Sequence, residues 1–251
     1  MADRTVFISG GAGGLGGAVT AAFVAAGWRV VVPVRPHGGT EPATGGTELA
    51  TATGGTEPAT ATGGRGAGPL RVPADLTDPE QVAAAVEAAG GDAGAPLRAV
   101  VNLAGGFAAG GLVHETPVAD FDQMIVRNLR PTHLVTRAAL PYLLAAGGGS
   151  VVCVSSRAAV APFPGAAGYV TGKAAVIAFS SAVAVEYRQS GVRCNTVLPS
   201  VIDTPANRAA QPNADHSRWV DPAEIAGVIR FLASDESAPT SGATIPVYGR
   251  A

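Results

Sequence analysis

The chain has 251 residues, 47% of them apolar and 14% charged, with a formal net charge of −2. This balance leaves no basic surplus for nucleic acid and no acidic tail. Gly and Pro contribute 34 and 19 residues, yet a chain this apolar collapses around a core, and its length suits one domain over residues 1–251.

Thr5–Ser9 (TVFIS) reads as a short apolar strand, and Met1–Gly10 is too weakly apolar for a signal peptide. A glycine-rich turn follows, and Leu15–Gly27 is a helix of small residues ended by Gly27. Arg29–Val34 (RVVVPV) is a second strand. Residues 38–64 form an imperfect repeat with 8 Gly and 8 Thr and one sizeable apolar side chain, Leu49. Such a segment cannot bury enough surface to offset its ordering entropy, so a low-complexity flexible insertion within the domain is expected. A short strand is expected near Leu70–Pro73. Asp78, Pro79 and Gln81 supply an N-cap, a first-turn proline and a capping-box glutamine for a helix to about Ala89.

Arg98–Leu103 is a strand. A long helix opens at Thr116-Pro117 and runs to about Ala146, with an interruption expected at Pro131. Ser150–Ser155 is a strand, Ala166–Gln189 a helix and Val192–Leu198 a strand. Asp221-Pro222-Ala223-Glu224 repeats the capping signature before a helix to about Ala233, and Thr244–Val247 is a last strand. Alternating β and α units whose strands are continuous Val-rich runs indicate α/β architecture. The expectation is a doubly wound Rossmann fold, a single parallel sheet of about seven strands with helices on both faces.

The first β-to-α turn, Ser9-Gly10-Gly11-Ala12-Gly13-Gly14-Leu15-Gly16, lets backbone approach a pyrophosphate that the next helix's N-terminal amides would meet. The second strand ends without an acid, in Val34-Arg35-Pro36. An acid there would hold a ribose 2′-hydroxyl, whereas Arg35 suits a 2′-phosphate, so NADP(H) is favoured and NAD(H) remains possible.

The 17 basic residues are 16 Arg and one Lys, Lys173. Lys173 lies four residues after Tyr169 on a predicted helix, so the two share a face. A nearby ammonium lowers a phenol's pKa from its usual value near 10. Ser156, at the end of a strand, opens into the same crevice and could hold a substrate carbonyl.

Taken together, these motifs resemble the short-chain dehydrogenase/reductase family from about Thr5 to the C-terminus, except across residues 36–69. Ser9-Gly10…Gly14-Leu15-Gly16 resembles the family's TGxxxGxG, and Asn102-Leu103-Ala104-Gly105 resembles NNAG. Tyr169-xxx-Lys173 matches YxxxK, and Asn195…Pro199-Ser200-Val201-Ile202-Asp203-Thr204 resembles N…PGxIxT. The resemblance implies that Tyr169 is the general acid or base and that Lys173 lowers its pKa and holds the nicotinamide ribose. Ser156 would then polarise the substrate oxygen and Asn128 anchor a proton-relay water. Asp75 and Leu76 would meet adenine, and Ile202 and Thr204 the nicotinamide amide. Asn102, Ala104 and Gly105 join the cofactor set.

Other candidates have plainer roles. Ser155 should face away from Ser156, and Cys153 and Cys194 should be buried apolar residues. No metal is expected, because His37, His114, His133 and His216 lack ligand spacing. Arg127, Arg130 and Arg137 share the long helix, and a solvated or subunit-interface face is favoured there over an acidic carrier protein.

The sequence therefore predicts a cytoplasmic NAD(P)-dependent oxidoreductase interconverting a ketone and a secondary alcohol. Its partner is a small carbonyl or alcohol substrate, with no nucleic acid and no membrane, and the protein is expected to be a homotetramer or homodimer. The alternatives are a catalytically silent dinucleotide-binding regulatory protein of the same fold and, more weakly, a glycine-turn methyltransferase.

Overall fold

The computed structural model describes residues 2–36 and 68–250, so the 38–64 repeat and His37 lie outside the described residues. The strands are β1 (Thr5–Ser9), β2 (Arg29–Val34), β3 (Leu70–Pro73), β4 (Leu97–Asn102), β5 (Gly149–Val154), β6 (Val192–Pro199) and β7 (Thr244–Val247). They form one seven-stranded parallel sheet in the order β3-β2-β1-β4-β5-β6-β7. The order reverses between β1 and β4, where the crossovers leave on opposite faces and a crevice opens at the strands' C-terminal ends. The expected doubly wound sheet is what the chain forms.

Alternation along the strands divides the core in two. Phe7, Val31, Val100, Val151, Cys153 and Cys194 point to one face, where α2 (Pro79–Gly90), α3 (Val118–Ala145) and α4 (Ala167–Glu186) cover them. Val6, Ile8, Val30, Val32, Val152 and Val197 point to the other, under α1 (Gly14–Ala25) and α6 (Pro222–Ala233). Both faces of each central strand are buried, which is why these strands read as unbroken apolar runs. Cys153 and Cys194 are wholly buried and unpaired, as expected.

Helix starts follow the cap chemistry. Asp78 accepts from the Glu80 and Gln81 amides, and Asp221 from that of Ala223. Gln81 departs from a capping box: its amide donates to Asp78 while its carbonyl oxygen accepts from the Asp75 amide. Two further expectations change. α3 runs through Pro131 and Pro141 without a break over 28 residues. Met124 and Asn128 before Pro131, and Leu134 and Val135 after it, are all buried, so packing on both sides keeps the helix continuous despite the missing N–H. After Thr204, where no element was expected before Asp221, the chain forms a short helix, α5 (Pro205–Ala210), capped by the Thr204 hydroxyl.

Helix ends are closed by arginine. Arg29, opening β2, donates to the Ala88 and Ala89 carbonyls at the end of α2. Arg98, in β4, donates to the Ala146 carbonyl that ends α3. Arg193, in β6, donates to the carbonyls of Leu232, Ser234 and Thr240 and to the Ser237 hydroxyl beyond α6. Each guanidinium thus meets orphan carbonyls and the negative end of a helix dipole. On α3, Arg130 donates to the Thr77 carbonyl and Arg127 lies against Gly106, so both have partners within the chain.

α4 is long and apolar enough by length and composition to cross a bilayer. Here it packs along α3 and against β6 and carries buried Lys173, the situation of a core helix.

Arg193→Ala is expected to destabilise the fold by about 2–3 kcal/mol in denaturant unfolding, because it strands several acceptors at once. Arg193→Lys should recover only part of that, since an ammonium cannot reproduce the planar fork. Arg188→Ala, an exposed change beside the same helix ends, should fall within about 0.5 kcal/mol of the parent.

Candidate active site

The C-terminal ends of β1, β4, β5 and β6 carry most of the residues singled out from the sequence. At the end of β1 the chain turns tightly, with the Gly13 amide donating to the Gly10 carbonyl. Gly10 has φ +74°, and a Cβ there would come within 2.9 Å of the Ala104 nitrogen, so only glycine lets this turn lie against the loop after β4. Ser9 supports that contact: its carbonyl accepts from the Leu103 amide, and its hydroxyl makes a long bond, 3.5 Å, from the Ala104 amide.

The start of α1 fits a dinucleotide pyrophosphate. Unlike α2 and α6, α1 has no side-chain cap and no acid in its first turn, so its leading amides point into the crevice without a side-chain acceptor. The Thr204 methyl group faces Gly14 across this crevice, bringing the segment after β6 over the glycine turn. Ile202 is half-buried and accepts from Asn207 through its carbonyl.

The adenosine end is placed less tightly. The Ala74 amide bonds the Val34 carbonyl, bringing Asp75 and Leu76 beside the end of β2, where Arg35 is exposed. The Asp75 carboxylate is occupied locally by the Thr77 amide and hydroxyl, and Leu76 packs on the core. Asn102 does not face the crevice. Its side chain is buried, donating to the Thr136 hydroxyl on α3 and, at 3.7 Å, to Cys153 Sγ.

Between β4, β5 and α4 lies a tightly shared space. Gly105 is flanked by Asn128 and Lys173: a Cβ there would approach Asn128 Oδ1 to 2.6 Å and Lys173 Nζ to 3.1 Å. Asn128 is fully buried, its amide nitrogen donating to the Gly106 and Met124 carbonyls and its oxygen accepting from the Gly106 amide. That side chain pins the loop after β4 and has both donors engaged. Its backbone carbonyl accepts from the Thr132 hydroxyl.

Lys173 is 6% exposed, and its ammonium donates to the Val154 carbonyl at the end of β5. Burial pulls it down from the usual value to about 8. Tyr169 moves the other way: burial raises its phenol, and a hydrogen bond with the Ser156 side chain opposes the rise. The sequence led to a phenol lowered by Lys173. In the structure the ammonium is spent on the strand end and desolvation dominates.

Ser156 caps a short turn through the Ala158 amide. Ser155 points the opposite way, as its alternation requires, and its hydroxyl donates to the Lys173 carbonyl at 2.7 Å. Sequence reasoning assigned Ser155 nothing, yet it latches β5 to α4 beside the lysine. The signal was the Ser-Ser pair at a strand end, where adjacent hydroxyls must serve different faces.

Phe107, also missed, sets its ring edge-on against Tyr169 with centroids 5.0 Å apart. The segment after β6 is held by a bidentate pair between Arg208 and Asp203, which keeps that carboxyl below its ordinary value. No cluster that could hold a metal ion occurs among the described residues.

Known proteins resemble this chain in sequence and in fold. The family model described as enoyl-(acyl carrier protein) reductase matches residues 10–249. The chain is 36% identical over 192 residues to 2-(R)-hydroxypropyl-CoM dehydrogenase of Xanthobacter autotrophicus, covering 72% of this chain and 76% of that one. It is 32% identical over 261 residues to 2,5-dichloro-2,5-cyclohexadiene-1,4-diol dehydrogenase of Sphingobium indicum, covering 99% and 96%. A short-chain type dehydrogenase/reductase of known structure from Mycobacterium ulcerans superposes with a TM-score of 0.83 at 26% identity, over 100% of this chain and 90% of that one.

The Lys173 shift makes a pH prediction. A lysine whose folded pKa lies below its unfolded value destabilises the fold while both states are protonated, and the penalty lifts as pH rises between the two values. Lys173→Met should therefore lose a stability gain of at most about 1.4 kcal/mol per pH unit that the parent shows above pH 8. Denaturant unfolding of both proteins from pH 7 to 9.5 checks this.

Proposed function

The chain belongs to the short-chain dehydrogenase/reductase family, and we propose that it is an NAD(P)-dependent oxidoreductase interconverting a ketone and a secondary alcohol. The observation that carries this reading is the gathering of the Tyr169 phenol, the Ser156 side chain that opposes its upward shift, and buried Lys173, in the crevice that the glycine turn opens. Both relatives are named for dehydrogenation of compounds bearing secondary alcohols. A silent binder would use neither a hydroxyl pair nor a buried ammonium, and the silent alternative is not favoured.

The bound nicotinamide dinucleotide supplies or accepts the hydride. Ser156 donates a hydrogen bond to the substrate oxygen and orients it toward the phenol. In reduction Tyr169 gives its proton to that oxygen, and in oxidation it takes one back. Lys173, held by the Val154 carbonyl and backed by Ser155, keeps a positive charge near the phenol below about pH 8 and meets the nicotinamide ribose. Asn128 holds the Gly106 backbone and so fixes the wall facing the phenol. With both side-chain donors engaged and its backbone carbonyl accepting from the Thr132 hydroxyl, Asn128 serves the proposed relay by positioning that wall.

Ser9, Gly10, Gly14, Leu15 and Gly16 cradle the pyrophosphate; Ala104 and Gly105 line the dinucleotide through the loop after β4, and Asn102 supports that loop from behind. Asp75 and Leu76 flank the adenine, and Ile202 and Thr204 reach the nicotinamide amide. NADP(H) is preferred because the end of β2 offers Arg35 and no acid. The protein works in the cytoplasm as a homodimer or homotetramer. The apolar side chains that α3 and α4 leave exposed, Val126, Leu144 and Val185, support the assembly.

Tyr169→Phe should cut cofactor-linked ketone reduction by about 10²- to 10⁴-fold while NADPH still raises the melting temperature. Retained activity would remove Tyr169 from the chemistry. Arg35→Ala should weaken NADPH binding about tenfold or more and leave NADH binding nearly unchanged, as measured by titration. Equal losses would defeat the NADP preference.

A further inference from the structure

Three rings run in series at the mouth of the site. Phe107, in the loop after β4, meets Tyr169 edge-on with planes at 81°. Phe163, between β5 and α4, lies 6.3 Å from Phe107 with planes at 36°. The two segments are tied by a 2.8 Å hydrogen bond from the Gly110 amide to the Gly165 carbonyl. Asn128 fixes the root of the Phe107 loop through Gly106. The rings are therefore held from both sides by backbone bonds.

The same two segments expose further apolar surface at Leu112, Val113 and Val160, besides Phe163 itself, which is 45% exposed. Single exposed apolar residues need no explanation, but several on two segments joined beside Tyr169 make an apolar surface of the kind that lines ligand sites. The polar side chains nearby bond within their own loop. Glu115 accepts from the Leu112 amide and lies near His114, and Thr116 donates to the Gly111 and Leu112 carbonyls. Arg157, next to Ser156, sets its guanidinium over the Tyr248 ring.

From this we infer that Phe107 and Phe163 form a specificity wall, and that the substrate is a ketone or secondary alcohol whose larger carbon substituent is an apolar ring or hydrocarbon arm, not a polyol. The inference rests on the proposed role of Tyr169. An oxygen bonded to the phenol brings its carbon substituents beside the ring that abuts that phenol. Apolar carbon gains by displacing water from the two phenylalanines. A hydroxyl placed there would lose its water partners without replacement.

The test uses the full chain with NADPH, comparing cyclohexanone with 1,3-dihydroxyacetone by kcat/KM. Cyclohexanone should be favoured at least tenfold, and Phe163→Ser and Phe107→Ala should each shrink that ratio by roughly tenfold, chiefly through KM. Phe107→Leu, which keeps an apolar surface, should retain most of the preference. A wild-type preference for dihydroxyacetone, or variants that depress both ketones equally, would overturn the wall. If neither ketone is turned over, the dehydrogenase reading fails separately, and cyclohexanol in the presence of NADP still tests the wall through the melting temperature. A rise with cyclohexanol that Phe163→Ser abolishes supports the wall, and no rise overturns it.

Discussion

One buried ammonium organises the site. Lys173 enters the space between β4, β5 and α4 with its ammonium bonded to the Val154 carbonyl, and its surroundings are arranged to admit it. Ser155 closes the latch from the other direction by bonding the Lys173 carbonyl. These reciprocal bonds fix α4 to the end of β5, and thereby fix where Tyr169, one turn earlier on α4, meets Ser156. Gly105 must lack a side chain for the same reason, because Asn128 and Lys173 already occupy the volume a Cβ would need. A buried charge is expensive, and here burial shows directly as a lysine drawn down to about 8.

The division of labour between 16 arginines and one lysine follows from that constraint. Arg29, Arg98 and Arg193 sit at the opposite end of the sheet and close the ends of α2, α3 and α6. Their task needs a planar fork with many donors and a charge that never leaves. The site needs a compact group that fits beside Gly105 and whose charge responds to its surroundings. A guanidinium is too broad for that space and holds its proton too firmly. In the cationic cavity of about 480 Å³ that Arg4, Arg98, Arg188 and Arg193 line, Arg98 and Arg193 close the ends of α3 and α6 and Arg4 pairs with Asp235.

Local patterns carried the fold. Unbroken Val-rich runs marked strands buried on both faces, and the Asp-Pro signatures at Asp78 and Asp221 marked helix starts, because these features depend on neighbours in sequence. What depended on distant groups was hidden. Pro131 looked like a break until packing on both sides of it was visible. Asn102 looked like a cofactor residue, but Thr136, 34 positions away, takes its amide. α5 escaped notice because its cap, Thr204, was already assigned to the cofactor. Phe107 and Phe163 are 56 positions apart and show no period, and only the tie between Gly110 and Gly165 makes them one surface. The Tyr169 and Lys173 spacing was legible; the direction of the phenol's shift was not, since desolvation is a property of the packed state.

The two shifts at the site bear on the direction of proton transfer. Burial penalises both charged forms, so it raises the Tyr169 phenol and lowers the Lys173 ammonium. On the proposed reading, ketone reduction draws on the neutral phenol, the form that burial preserves. Alcohol oxidation needs the phenolate, the form that burial disfavours, and with the Lys173 ammonium bonded to the Val154 carbonyl desolvation dominates at the phenol. The resting site therefore keeps its proton on Tyr169. The aromatic wall works in the same sense, because Phe107 keeps water from the phenol and sustains the desolvation that raises it.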